Sequence, residues 1–106
     1  MADHLPIVDV LDEANRIIQG NRADQYGGPE RSAETIAGIW TALLRGAGVL
    51  KDDASITPDL VCILMSGLKL GRLSANPEHL DSQVDACGYI AYLRTLQRTR
   101  YGLSRQ

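Results

Sequence analysis

Apolar residues recur at helical spacing in four separate stretches of the chain. Such a repeat, with apolar positions three to four residues apart on one face, is typical of an amphipathic α-helix. The stretches predict helices over residues 7–19, 29–46, 58–73 and 77–100, joined by short polar or glycine-rich connections. The pattern therefore predicts an all-α, four-helix fold.

The third and fourth predicted helices begin in the same way. Thr57 and Asn76 are good N-cap residues, and each precedes a proline, which fits the first helical position. An acidic residue follows both prolines and suits the positive end of the helix dipole. Because only a few residues join these two helices, we expect them to lie antiparallel to each other.

The third predicted helix is apolar nearly all round, apart from Lys69 and Arg72 near its end. A helix without a polar face is normally buried. We therefore expect this helix to lie at the centre of the domain or in a subunit interface. A chain of this size covers such a helix poorly, so we expect a dimer or a larger homo-oligomer.

Two connections interrupt the helical pattern. Residues 21–30, NRADQYGGPE, form a turn-rich loop, and Arg22 and Tyr26 on it are candidate ligand contacts. An equally good interpretation is a simple connector whose tyrosine covers the edge of the core. Residues 46–56, GAGVLKDDASI, are the longest polar, glycine-rich break, and there we expect the most disorder.

Composition narrows the class of protein. The chain has 106 residues, which predicts one domain over 1–106 with a core at about 7–100. Its formal charge is -2, which argues against binding to a nucleic-acid polymer. We expect neither a signal peptide nor a membrane span. Cys62 and Cys87 lie within apolar repeats, without metal-binding spacing, so we expect free thiols.

Four charges are expected to meet where the third and fourth helices join. Lys69 and Arg72 end one helix, and Asp81 and Asp85 begin the other. One interpretation is a salt-bridge network that positions the two helices. A second is a Mg²⁺ site on the aspartates, with the cations neutralising nucleotide phosphates. In a third, the cations and Arg22 grip a phosphate directly and the aspartates orient them.

Several short motifs resemble a family of small phage and prophage proteins of uncharacterised function. They are EANRII at 13–18, R-x-x-x-YG-x-P at 22–29, IAGIW at 36–40, KLGRL at 69–73 and HLDSQVDACGY at 79–89. The resemblance covers about residues 11–93. It implies a phage-encoded protein in the cytoplasm of the host cell.

The last helix, with D-x-x-x-D-A-C-G-Y-I-A-Y-L, also resembles the all-α, MazG-like nucleoside triphosphate pyrophosphohydrolases. The resemblance implies that Asp85 matches their final metal-binding aspartate. Those enzymes carry E-x-x-E followed by E-x-x-D, whereas this chain has Lys69 and Arg72 at the first motif and Ser82 before Asp85. A site with two acidic and two basic side chains binds phosphate better than Mg²⁺. This departure from the enzymes' pattern therefore argues against hydrolysis more strongly than against nucleotide binding.

We therefore expect a protein that binds a phosphorylated nucleotide, linear or cyclic, without a cofactor and without cutting it. Phosphate would contact Lys69, Arg72 and Arg22. Tyr26 and Tyr89 would contact the base or ribose. In a phage protein such binding would sequester a host nucleotide signal.

Two alternatives remain open. The first is a Mg²⁺-dependent pyrophosphohydrolase whose metal ligands are Asp81 and Asp85, with Glu13 or Glu34. The second is a structural or partner-binding helical module with no small ligand.

Overall fold

The computed structural model describes residues 7–19 and 28–102. Over these ranges the chain forms four α-helices and no strand, which confirms the predicted all-α class. In chain order they are α1 (Ile7–Gln19), α2 (Gly28–Gly46), α3 (Pro58–Ala75) and α4 (Leu80–Tyr101). The bounds of α1 and the end of α2 are those that the apolar repeat predicts.

Helices α3 and α4 form the central pair and make the most extensive contact of the fold. Cys62 near the start of α3 packs with Leu96 near the end of α4, and Ala33 of α2 joins them. The Lys69 side chain, further along α3, meets Asp85 near the start of α4. The first contact joins the start of α3 to the end of α4, and the second joins a later part of α3 to the start of α4. The two helices are therefore antiparallel, as predicted.

The start of α3 agrees with the predicted cap. The Thr57 side chain accepts a hydrogen bond from the Leu60 N–H at 3.2 Å, and Pro58 occupies the first turn. This bond satisfies one of the amide groups that a helix leaves without a partner at its first turn. The local sequence therefore sets where α3 begins.

The predicted start of α4 at Asn76 is wrong. The Asn76 N–H donates to the Arg72 carbonyl at 3.0 Å, so this residue ends α3. The His79 N–H then donates to the Asn76 carbonyl at 3.1 Å and closes a turn. Helix α4 begins at Leu80, and His79 is its N-cap because its ring accepts from the Ser82 N–H.

The connection between α2 and α3 is held in place rather than disordered, contrary to expectation. The Arg45 guanidinium donates to the Ala54 carbonyl at 2.6 Å. The hydroxyl of buried Thr41 donates to the Ala37 carbonyl at 2.7 Å and accepts from the Ile56 N–H at 2.9 Å. Gly48 takes the positive φ of 75° that the turn requires.

Helix α3 is buried on one face only within the described chain. Val61, Cys62, Ser66 and Lys69 form its buried face. The opposite face carries leucines and an isoleucine that are exposed. The apolar pattern predicts that this helix lies at the centre of the domain or in a subunit interface. Within the described residues, one side of α3 packs at the centre of the domain and the other side is uncovered.

Replacing Thr41 by valine tests how the α2–α3 connection is held. The Thr41→Val change keeps the shape of the side chain but leaves the Ile56 N–H without its acceptor. Loss of such a partner costs about 1–3 kcal/mol of the free energy of unfolding, measurable by urea denaturation. Thr35→Val is the matched control, because its exposed hydroxyl donates only to the Arg31 carbonyl within α2. Equal effects of both changes would contradict this role for Thr41.

Candidate functional site

A buried ion pair joins the central helices. Lys69 Nζ lies 3.1 Å from Asp85 Oδ2, and the two side chains are only 11% and 7% exposed. Taking both charges out of water is costly, and only close pairing offsets the cost. The 3.1 Å contact requires Lys69 and Asp85 to face each other across the interface between α3 and α4.

The other two charges of the expected cluster lie outside this pair. Arg72 and Asp81 are exposed, each about one helical turn nearer the α3–α4 connection than Lys69 and Asp85. The predicted group of four is thus divided into a buried pair and two charges in contact with solvent. An exposed guanidinium remains able to bind an anion, whereas the Lys69 ammonium already faces a carboxylate.

Asp85 also lines a shallow, open recess between α1 and α4, with a cavity volume of about 10 Å³. Its lining comes from two helices and is mostly apolar. Helix α1 gives Ala14, Ile17 and Ile18, and helix α4 gives Val84, Asp85, Gly88, Tyr89 and Tyr92. The carboxylate of the ion pair is therefore the charged group at a recess that is otherwise apolar and aromatic.

Two tyrosines form one wall of the recess. The rings of Tyr89 and Tyr92 meet edge to face, with their centroids 6.4 Å apart and their planes at 60°. Such an arrangement is favourable for aromatic pairs and holds both rings in a defined orientation. Tyr89 is a predicted ligand contact and Tyr92 is not, although the two are three residues apart on one helix.

Gly88 lets α1 come close to α4 at the recess. A Cβ at this position would lie 3.5 Å from Ile18 Cδ1, so a side chain of α1 packs directly over the glycine. Neither Gly88 nor Ile18 is among the predicted site residues, yet both line the recess. The glycine within the apolar repeat of α4 is the feature that indicates a close approach.

The loop candidates Arg22 and Tyr26 lie outside the described residues. They follow α1 in sequence, a few positions after the recess residues Ile17 and Ile18. Their contact with a ligand stays a prediction.

The described residues offer few ligands for the Mg²⁺ site that the pyrophosphohydrolase alternative requires. No group of three or more histidine, cysteine, aspartate and glutamate side chains that could hold an ion occurs there. Glu13 accepts hydrogen bonds from Arg16 at 2.8 and 2.5 Å, which lower the pKa of its carboxyl. Ser82 stands where the MazG-like motif has a glutamate. It is fully buried, and its Oγ lies 2.6 Å from His79 Nδ1. A glutamate would not fit that position without moving the start of α4.

Both cysteines are free, as predicted, with Cys62 buried and Cys87 half-buried. Burial, with a smaller contribution from the nearby Asp59 carboxylate, raises the pKa of Cys62 to about 11. A thiol with so high a pKa stays protonated at neutral pH, and its role is packing within the core with Ala33 and Leu96.

Comparison with known proteins identifies a family. The sequence profile of the family described as "Domain of unknown function (DUF6378)" matches residues 9–97. The chain is 36% identical over 90 residues to the Gene 55 protein of Mycobacterium phage L5, covering 85% of this chain and 53% of that protein. It is 31% identical over 80 residues to the Gene 55 protein of Mycobacterium phage D29, covering 76% and 48%.

The chain thus spans about half the length of the curated relatives it matches. These matches confirm the predicted resemblance to a phage protein family of uncharacterised function. No solved structure matches the chain, and the resemblance to MazG-like enzymes stays a prediction. Among the described helices, none combines the length and the apolar character that crossing a membrane requires.

Removing one member of the buried ion pair should destabilise the fold strongly. We expect Lys69→Met to lower the free energy of unfolding by about 3 kcal/mol or more, because it removes the ammonium that lies 3.1 Å from the buried Asp85 carboxylate. The double variant Lys69→Met, Asp85→Leu should recover most of that loss.

Arg16→Met, which breaks the exposed pair with Glu13, is the control and should leave the urea midpoint unchanged. A Lys69→Met midpoint as high as that of the control would show that the ion pair does not stabilise the fold.

The raised pKa of Cys62 predicts slow alkylation. At pH 8 the thiolate fraction of a group with a pKa of about 11 is smaller than that of an ordinary cysteine by a factor of a hundred or more. Iodoacetamide should therefore label Cys62 at least about 100-fold more slowly in the folded protein than in urea. Peptide mass spectrometry follows the two cysteines separately. Labelling of Cys62 at equal rates in the two conditions would contradict the assignment.

Proposed function

The chain belongs to the DUF6378 family, and we propose that it binds a phosphorylated nucleotide with the base across the open side of the α1–α4 recess. The observation that carries this proposal is the position of Asp85, which meets Lys69 on one side and lines the recess on the other. A carboxylate accepts hydrogen bonds and does not donate them. This surface therefore suits a flat, partly apolar group that carries N–H donors, as several nucleobases do.

The tyrosine wall supports a planar ligand. Stacking of a base on an aromatic ring contributes about 1–3 kcal/mol per base. The recess itself has a cavity volume of only about 10 Å³, room for about one water molecule. A base would therefore lie across its open side against the tyrosine rings, with the sugar and phosphates on the surface beside it.

The phosphates need cations at that surface. Arg72 is exposed and offers a planar guanidinium that suits a phosphate. Arg22 is a second candidate, from the segment that follows α1. Lys69 was predicted as a third, but a phosphate would have to displace Asp85 to reach its buried ammonium. Its proposed role is therefore to hold the Asp85 carboxylate in place.

Binding without hydrolysis is favoured over the pyrophosphohydrolase alternative. In the alternative, Asp81 and Asp85 would share a Mg²⁺ ion, but Asp85 already has an ammonium 3.1 Å away. That positive charge opposes a divalent cation at the same carboxylate. A phage protein that binds a nucleotide and does not cut it would sequester the molecule from the host.

A thermal-shift screen with linear and cyclic nucleotides, run with Mg²⁺ and with EDTA, tests the proposal. A ligand at 100 times its dissociation constant adds about 2.7 kcal/mol and should raise Tm by roughly 10 °C. We expect the shift to survive EDTA and the nucleotide to stay intact by chromatography.

Two variants separate the parts of the site. Tyr89→Leu keeps an apolar side chain but removes the ring, and should weaken binding about tenfold or more. Arg72→Ala should weaken binding and reduce its dependence on salt. Arg31→Ala, on the exposed side of α2, is the matched control. In the thermal-shift screen, Mg²⁺-dependent release of a monophosphate would favour the enzyme instead. If no nucleotide raised Tm, the ion pair would have only the structural role of joining α3 and α4.

A further inference from the structure

One face of α3 is exposed, apolar and without charge. We define this outer face by Leu60, Ile63, Leu64, Gly67, Leu68 and Gly71, all of which are exposed. The helix carries only three charged residues, Asp59, Lys69 and Arg72, and helical geometry places them off this arc. A helix face that remains in water normally carries polar residues, so this one is built to be covered.

The exposure of the large side chains of α3 agrees with a missing partner. Leu60, Ile63, Leu64 and Leu68 are 39–49% exposed, and Leu70 beside them is 59% exposed. Together they form a continuous apolar strip along the helix, and contiguous exposed apolar surface of this kind marks an interaction site.

The outer face is complementary in size to itself. Three of its four large residues, Leu60, Ile63 and Leu64, occupy the first half of α3, and Leu68 lies in the second half. Its glycines, Gly67 and Gly71, occupy the second half, and a Cβ at either position would meet nothing within 4 Å. Small residues spaced four apart let two helix backbones approach closely.

We propose that a second copy of this chain packs on the outer face, with the two α3 helices antiparallel about a two-fold axis near Met65 and Ser66. This arrangement sets Leu60 opposite Gly71 of the second copy, and Leu64 opposite its Gly67. Large side chains of each helix then fill the space over the glycines of the other. The seam contains no charged residue, so pairing leaves no unpaired ion in it. The interface does not depend on nucleotide binding.

Sedimentation velocity over a range of concentrations tests the interface. The wild-type protein should sediment at twice the mass of one chain. Gly67→Leu should raise the dimer dissociation constant at least tenfold, because the added side chain blocks close approach of the helices. The same change fills only open space within one chain and replaces glycine by a better helix former. Its thermal unfolding, followed by circular dichroism, therefore distinguishes a lost interface from a lost fold.

Gly38→Leu is the matched control, since it makes the same change at an exposed glycine of α2 that also faces open space. It should remain a dimer. The proposal is overturned if the wild type is a monomer, if Gly67→Leu remains as tight a dimer, or if Gly38→Leu dissociates to the same extent. A monomeric wild type would mean that another segment or another protein covers the outer face.

Disulfide trapping tests the antiparallel direction. An equal mixture of Leu60→Cys and Gly71→Cys proteins should form a cross-linked dimer on oxidation, and neither variant should do so alone. Oxidised wild-type protein controls for the native cysteines, of which Cys62 is buried and Cys87 is half-buried. Cross-linking of Leu60→Cys with itself would instead indicate parallel helices and overturn the proposed arrangement.

Discussion

One buried ion pair constrains how the two central helices pack. Lys69 and Asp85 are both removed from water, and each would be strongly unfavourable there without the other. Their contact at 3.1 Å is kept only where α4 turns Asp85 toward Lys69. With α4 in that position, Asp85, Gly88 and Tyr89 line the recess against α1. The ion pair and the recess thus share one residue and one position of α4.

The helices could be predicted because their signals are local. The apolar repeat and the Thr57 cap depend on residues within a turn or two of each other, so the bounds of α1 and the start of α3 follow from sequence. The start of α4 could not be predicted in the same way. Asn76 resembles an N-cap, but its N–H is already used to end α3, and only the three-dimensional turn shows this.

The candidate site was only partly predictable, for geometric reasons. Lys69 and Arg72 are three residues apart and therefore differ by about 60° around the helix, enough to bury one and expose the other. Which one is buried depends on how α4 packs. The recess depends on the docking of α1, and no spacing within either helix indicates that Ile18 reaches Gly88.

The attachment of α1 has a consequence for how the recess behaves over time. Of the helices described, α4 is the one against which α1 packs to any substantial extent, whereas α2, α3 and α4 all contact one another. A segment held by a single neighbour is the first to open in native-state hydrogen exchange, without unfolding the remainder. One wall of the recess is thus the least anchored part of the described fold. Any molecule held between α1 and α4 would tether that helix, and slower amide exchange in α1 would report its occupancy.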